Sequence, residues 1–158
     1  PGAVEAVAAH PQAGVCLMHM KGEPGTMQQD PVYDDVVAEV GRFLAERSAV
    51  VQAAGVGPER ITLDPGYGFG KTAAHNLTLL WRQRELLAAG RPLLVGLSRK
   101  SVLGAVTKRP VGERLAASIA AVLAAVDRGA TVLRVHDVAA TVDALAVWRA
   151  AGSGVVEA

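Results

Sequence analysis

The feature that most constrains this chain is a fourfold alternation, in which a short β-rich run is followed each time by a longer stretch of helical spacing. The runs are Val15 to Met20, Ile61 to Leu63, Pro92 to Leu97 and Thr131 to Val135. They are largely apolar at consecutive positions, the pattern of strands buried on both faces. After the first run, Val36, Val37, Val40, Phe43, Leu44, Val50 and Val51 recur at helical spacing, and the pattern stops near Gly55 and Gly57 with Pro58 just beyond. After the second, Asn76 is predicted to cap a helix through Leu77, Leu80, Trp81 and Leu87 that Gly90 terminates. A polar loop after Leu97 is predicted to lead into a helix with Leu115, Ile119, Val122, Leu123 and Val126 on one face, ending at Gly129. Val142, Leu145 and Trp148 mark a last helix ending near Gly152, and Val4, Val7 and Ala8 the tail of an earlier one.

Both-face apolar strands that alternate with helices make a parallel α/β sheet covered by helices. Right-handed crossovers then leave two architectures, a doubly wound sheet or a closed barrel. Polar residues follow every run: His19 and Lys21, Asp64, Ser98 to Lys100, and Arg134 to Asp137. In a barrel all of these converge on the C-terminal rim, where active sites are built, whereas a doubly wound sheet needs them only near its switch point. Four loaded strand ends favour the barrel. A (β/α)8 barrel closes with eight strands, so four units read as half of one.

Bulk properties narrow the function. The 16 basic and 15 acidic residues are spread along the 158 positions, with no basic block carrying interleaved aromatics, so a nucleic-acid partner is not expected. No stretch approaches the roughly 18 apolar residues of a membrane span. Cys16 has no internal disulfide partner and reads as a small buried hydrophobe, which fits a reducing cytoplasm. The chain opens on Pro1 rather than Met, so the gene product is expected to begin upstream.

Two motifs mislead. Asp64-Pro65-Gly66-Tyr67-Gly68-Phe69-Gly70-Lys71-Thr72 suggests a nucleotide loop, but the Walker A spacing would need glycine where Pro65 stands. The dinucleotide fingerprint fails as well, because the glycines are spaced Gly66, Gly68, Gly70. His19 and His136 belong to separate runs and have no cysteine partner, so a structural zinc site is not expected.

Four segments resemble the dihydropteroate synthases, a family of pterin-binding enzymes. Val15-Cys16-Leu17-Met18-His19-Met20-Lys21-Gly22, followed by Thr26-Met27-Gln28, is similar to the family's fifth-strand signature. Leu63 to Lys71, with His75-Asn76 downstream, is similar to the sixth; Leu94-Val95-Gly96-Leu97-Ser98-Arg99-Lys100 to the seventh; Arg134-Val135-His136-Asp137 to the eighth. The four occur in the family's order and at its spacing, and together they run through most of the chain. The resemblance implies that residues 1–158 are the C-terminal half of a pterin-binding TIM barrel. The N-terminal half, with its magnesium-holding Asn and mobile Thr-Arg-Pro loop, is expected to lie outside them.

That resemblance implies a transferase of folate biosynthesis and a sulfonamide target. The amine of p-aminobenzoate replaces pyrophosphate on 6-hydroxymethyl-7,8-dihydropterin pyrophosphate, giving dihydropteroate. Asp64 would accept two adjacent pterin N–H groups in parallel, and Lys100 would donate to the pterin carbonyl and ring nitrogen while helping keep Asp64 ionised. Arg134 would lie over the pterin face with its donors toward phosphate, and His136 would donate to the departing pyrophosphate. Ser98 and Arg99, at a following helix start, would cradle the aminobenzoate carboxylate, with Phe69 bordering its ring. Met18, Leu94 and Gly96 would form the floor and wall of the pterin slot, while Gly66, Gly68 and Gly70 let backbone approach ligand. Lys71, Asp137 and His19 are expected to be supporting residues.

The family also implies magnesium, with no metal ligand in this half, and a homodimer through the late helices, Leu115 to Val126 or Val142 to Trp148. The 158 residues by themselves are expected to be inactive. Two alternatives stand beside this reading: a pterin-binding methyltransferase barrel, which shares the Asp64 position, and a non-catalytic pterin-binding relative. The first has no reason to keep Ser98-Arg99-Lys100 together with Arg134 and His136.

Overall fold

The computed structural model describes residues 2–153. Four strands, β1 (Val15–Met18), β2 (Ile61–Asp64), β3 (Leu93–Val95) and β4 (Ala130–Leu133), form one sheet in the order β1-β2-β3-β4, every neighbouring pair parallel. The order never reverses, so these units contain no switch point of a doubly wound sheet. Six α-helices accompany them among the described residues: α1 (Ala3–Ala8), α2 (Val36–Ala53), α3 (Ala73–Trp81), α4 (Ser101–Thr107), α5 (Leu115–Asp127) and α6 (Val138–Ser153).

The faces of the sheet differ. Ile61 and Leu63 of β2 and Leu93 and Val95 of β3 are fully buried against α2 and α3, which contribute Val37, Val40, Leu44 and Leu79. Each such side chain contributes about 1.5–3 kcal/mol on leaving water. On the other face Cys16 is exposed, Thr62 and Leu94 are half-buried, and Val132 is 40% exposed. Helices on one face and an accessible second face are what consecutive barrel units present. Cys16 is therefore not the buried hydrophobe expected of it, because as the second residue of β1 it alternates to the open face.

Local chemistry explains the helix limits. Asp35 caps α2 by accepting from the backbone N–H groups of Val37 (2.9 Å) and Ala38 (3.1 Å), and Gly55 leaves the helix with φ 91°. The cap of α3 is Thr72 rather than Asn76: its hydroxyl accepts from His75 N (3.1 Å) while His75 Nδ1 accepts from Thr72 N (3.3 Å). That reciprocal pair sets the cap four residues before Asn76 and frees the asparagine for another task. The segment continues past Trp81 as the 3₁₀ stretch Gln83–Ala89, and Gly90, φ 63°, ends it. The loop expected after Leu97 holds the short α4, whose apolar Val102 and Leu103 are buried.

Candidate functional site

The last open-face residues of the four strands and their extensions converge at the C-terminal rim. Met18 of β1 lies beside Asp64 of β2 in the ladder. Between β3 and β4 the register shifts: Leu93 pairs with Ala130 but Leu94 pairs with Val132, so Thr131 is an extra residue. The shift turns Leu133 to the helices beside Val95 and sends Arg134, one residue past the strand, to the open face beside Gly96. Arg134 thus lies beyond β4, and its side chain is 59% exposed.

Asp64 is the buried centre, 3% exposed. Its Oδ1 accepts from Gly66 N at 2.7 Å, and Oδ2 lies 3.8 Å from Arg134 Nη2. Burial pushes its carboxyl above the usual range, against the opposing pull of the Gly66 N–H, Lys100, Arg134 and Lys71. The expectation that Lys100 keeps Asp64 ionised is therefore met only in sign, because desolvation outweighs that charge. The Lys100 ammonium donates to Tyr67 O and stands 4.5 Å over the Phe69 ring. Burial draws its pKa down to about 8, although Asp64 opposes the shift.

The turn from Gly66 to Gly70 is pressed onto the loop after β1. A Cβ on Gly66 would sit 1.7 Å from His19 O and one on Gly70 2.2 Å from Lys21 O, and both residues have positive φ, so only glycine fits. Asn76 holds the same turn: its Oδ1 accepts from Gly68 N (2.7 Å) while its Nδ2 donates to Thr72 O (2.7 Å). Gln28 donates to Gly68 O, and Tyr33 Oη donates to Gly70 O at 2.8 Å. Neither contact is legible in the sequence, although Gln28 stands in the segment Thr26-Met27-Gln28. Lys71 and His19, expected as support, are both buried beneath this turn.

A pocket of about 310 Å³ is lined by Phe69, Gly96, Ser98, Lys100, Arg134, Val135 and His136. Six of these seven were singled out in the sequence; Val135 was not. Ser98 is 3% exposed, and its Oγ accepts from His136 N (3.2 Å) and meets His136 Nδ1 at 3.0 Å. Arg99 lies apart from that lining: its guanidinium pairs with Asp137, with Nε 3.0 Å from Oδ2. Arg99 also has φ 57°, held because Ser118 Oγ accepts its N–H (2.9 Å) and Arg114 Nη1 donates to its carbonyl (2.9 Å). Met18 and Leu94 share the open face without bordering this pocket. Among the described residues no group of three or more His, Cys, Asp or Glu side chains is placed to hold a metal ion.

Comparison with known proteins agrees with this geometry. The family model described as pterin binding enzyme matches residues 2–136. A dihydropteroate synthase of Neisseria meningitidis serogroup C is 54% identical over 153 residues, covering 96% of this chain and 54% of its own length. The crystal structure of dihydropteroate synthase from Stenotrophomonas maltophilia, with imidazole bound in its active site, is 56% identical with a TM-score of 0.92, covering 96% of this chain and 57% of that one. Dihydropteroate synthase from Xanthomonas albilineans in complex with 7,8-dihydropteroate is 50% identical with a TM-score of 0.89, covering 96% and 55%. The chain spans about half the length of the curated relatives it matches, and its sheet is that of consecutive units of a (β/α)8 barrel. On this footing the chain belongs to the pterin binding enzyme family, and its relatives there are dihydropteroate synthases.

Proposed function

We propose that the protein containing this chain condenses 6-hydroxymethyl-7,8-dihydropterin pyrophosphate with p-aminobenzoate, releasing pyrophosphate and forming dihydropteroate. One observation carries the reading: a buried carboxylate, Asp64, stands beside a pocket that combines two cations, Lys100 and Arg134, with a Ser98–His136 pair. A pterin edge offers adjacent donors to Asp64, and Lys100 supplies a donor for the neighbouring acceptors. The amine nitrogen attacks the exocyclic methylene, its bond to carbon forms as the carbon–oxygen bond to pyrophosphate breaks, and the amine proton is lost. Arg134 and His136, at the open mouth of the pocket, meet the charge that develops on the leaving group. Ser98 and Phe69 border the aminobenzoate, with Arg99 set back from it in its ion pair with Asp137, and Met18, Leu94, Gly96 and Gly68 shape the pterin slot. The dihydropteroate held by the Xanthomonas albilineans relative supports this assignment.

Magnesium, in this proposal, takes its protein ligand from outside the described residues, and no step here runs through it. The apolar side chains exposed on α6, Val142, Val147 and Trp148, suit a homodimer interface. A cytoplasmic setting suits the one free thiol. The test is dihydropteroate formation by the purified full-length protein from the two substrates. Turnover dependent on both supports the proposal, and a folded protein that binds pterin yet forms no product sinks it. The 158 residues alone are expected to form none, since a half-rim cannot surround both substrates.

A further inference from the structure

Lys71 is a buried cation for which the reaction above has no use. It is 3% exposed, yet its three hydrogen bonds all go to neutral acceptors: Gly66 O (2.9 Å), Phe69 O (3.1 Å) and His19 Nδ1 (2.9 Å). Burial draws its pKa down to about 7, with the Asp64 charge opposing the shift, so three directed hydrogen bonds rather than an ion pair hold the amine where it is. Two of its acceptors are the carbonyls at either end of the turn Gly66–Phe69, which is itself closed by Phe69 N donating to Gly66 O at 3.1 Å. The third belongs to the residue that follows β1, so the amine ties the turn to the neighbouring strand end.

The turn's outer side faces the pocket. Phe69 presents its ring to the Lys100 ammonium, and a Cβ at Gly68 would meet Lys100 Cδ at 3.1 Å. Asp64 has anchors of its own in the sheet: His19 N donates to Asp64 O at 3.0 Å and the residue pairs with Met18 in the ladder, while the turn reaches it through one bond, Gly66 N donating to Oδ1 at 2.7 Å. Loosening Lys71 therefore acts on the Phe69 side of the pocket more than on the Asp64 side.

We propose that Lys71 is the positioning residue of this turn, holding Phe69 in place from beneath and so setting affinity for the aromatic amine more than affinity for the pterin. This rests on the synthase reading above. In the full-length protein, Lys71→Met removes the donor at similar length, and Lys71→Gln keeps two donors on a shorter arm. The measurements are the KM for p-aminobenzoate, kcat, the Kd for the pterin by calorimetry, and the melting temperature. Lys71→Met is expected to raise the KM for the amine about tenfold, the order of a lost buried hydrogen bond, with pterin Kd changed less than about threefold. Lys71→Gln falls between it and the unmodified protein, and carries the test by itself should the methionine variant misfold. A KM for the amine that stays at the unmodified value in either variant overturns the proposal. So does a parallel loss of both affinities that tracks the melting temperature, which is what a merely structural lysine would give. An unmodified protein that binds no p-aminobenzoate would instead sink the synthase reading, and this inference with it.

Discussion

Arg134 meets Asp64 from two strands away: its Nη2 lies 3.8 Å from Asp64 Oδ2, and the side chain gets there by crossing over Gly96, the residue after β3. A Cβ built on Gly96 would sit 3.0 Å from Arg134 Nη2 and 3.1 Å from Nε, so the empty space over that glycine is the path of the guanidinium. The pairing joins the residue proposed to hold the pterin to the residue proposed to meet the pyrophosphate.

Gly96→Ala tests this path. The atoms it meets are the far end of a flexible, mostly exposed side chain, so the fold tolerates the change within about 1 kcal/mol, measured by chemical denaturation. Arg134 must move, and turnover is expected to fall about tenfold while the protein melts normally. Unchanged kcat would show that this Arg134 position is not the productive one.

Asp64→Asn replaces an acceptor by a donor facing the pterin's own donors. Pterin affinity in the full-length protein is expected to weaken by roughly 1–3 kcal/mol, more where the charge contributes. Calorimetry giving an unaltered Kd would take Asp64 out of the site.

Burial holds the Lys100 pKa down at about 8. Below that value the amine is charged and donates to the pterin; above it the charge is lost, so pterin affinity is expected to decline as pH rises through about 8. Lys100→Arg, which stays charged, should remove the alkaline decline even if affinity at neutral pH drops. An alkaline limb that persists in the arginine variant assigns it to another group.

His19 titrates in the opposite part of the scale. Burial first, then the Lys71 charge, lowers its pKa from 6.5 to about 4. Between those values the unfolded chain binds more protons than the folded one, so stability rises with pH through the window and is lost on acidification. From pH 7 to pH 5 the His19 contribution lost is on the order of 2 kcal/mol. Denaturation curves at the two pH values should show it, and His19→Gln should flatten the difference. An equal drop in the glutamine variant would place the effect on other groups.

Sulfonamides mimic p-aminobenzoate, so Phe69→Leu and Ser98→Ala are expected to shift sulfonamide inhibition more than pterin affinity. Collapse of pterin binding with unmoved inhibition constants would reverse the assignment of the two sides of the pocket.

Much of this was legible in the residues themselves. Helical spacing from Val36 to Val51 and the apolar runs at Val15, Ile61 and Leu93 report burial through local periodicity, and the elements form where that periodicity places them. Ser98, Lys100, Arg134 and His136 were legible because a parallel sheet delivers every strand end to one rim. The cap of α3 was misplaced because Thr72 and Asn76 are both good caps in isolation, and only the His75 side chain returning to Thr72 N decides between them.

What the sequence by itself determined is the four strand–helix units, their order and the chemical inventory at the rim, because each depends on neighbours a few residues apart. The tertiary structure alone decided which way several of those residues point. One extra residue in β4, Thr131, turns Arg134 to the open face beside Gly96; without that register shift the strand's alternation would have sent it toward the helices. It also decided that Asn76 ties the glycine turn, that Arg99 pairs with Asp137 away from the pocket, and that Lys71 sits beneath the turn rather than in solvent. Each of these follows from contacts between distant segments, where the sum of packing and hydrogen bonding outweighs any preference the local sequence carries.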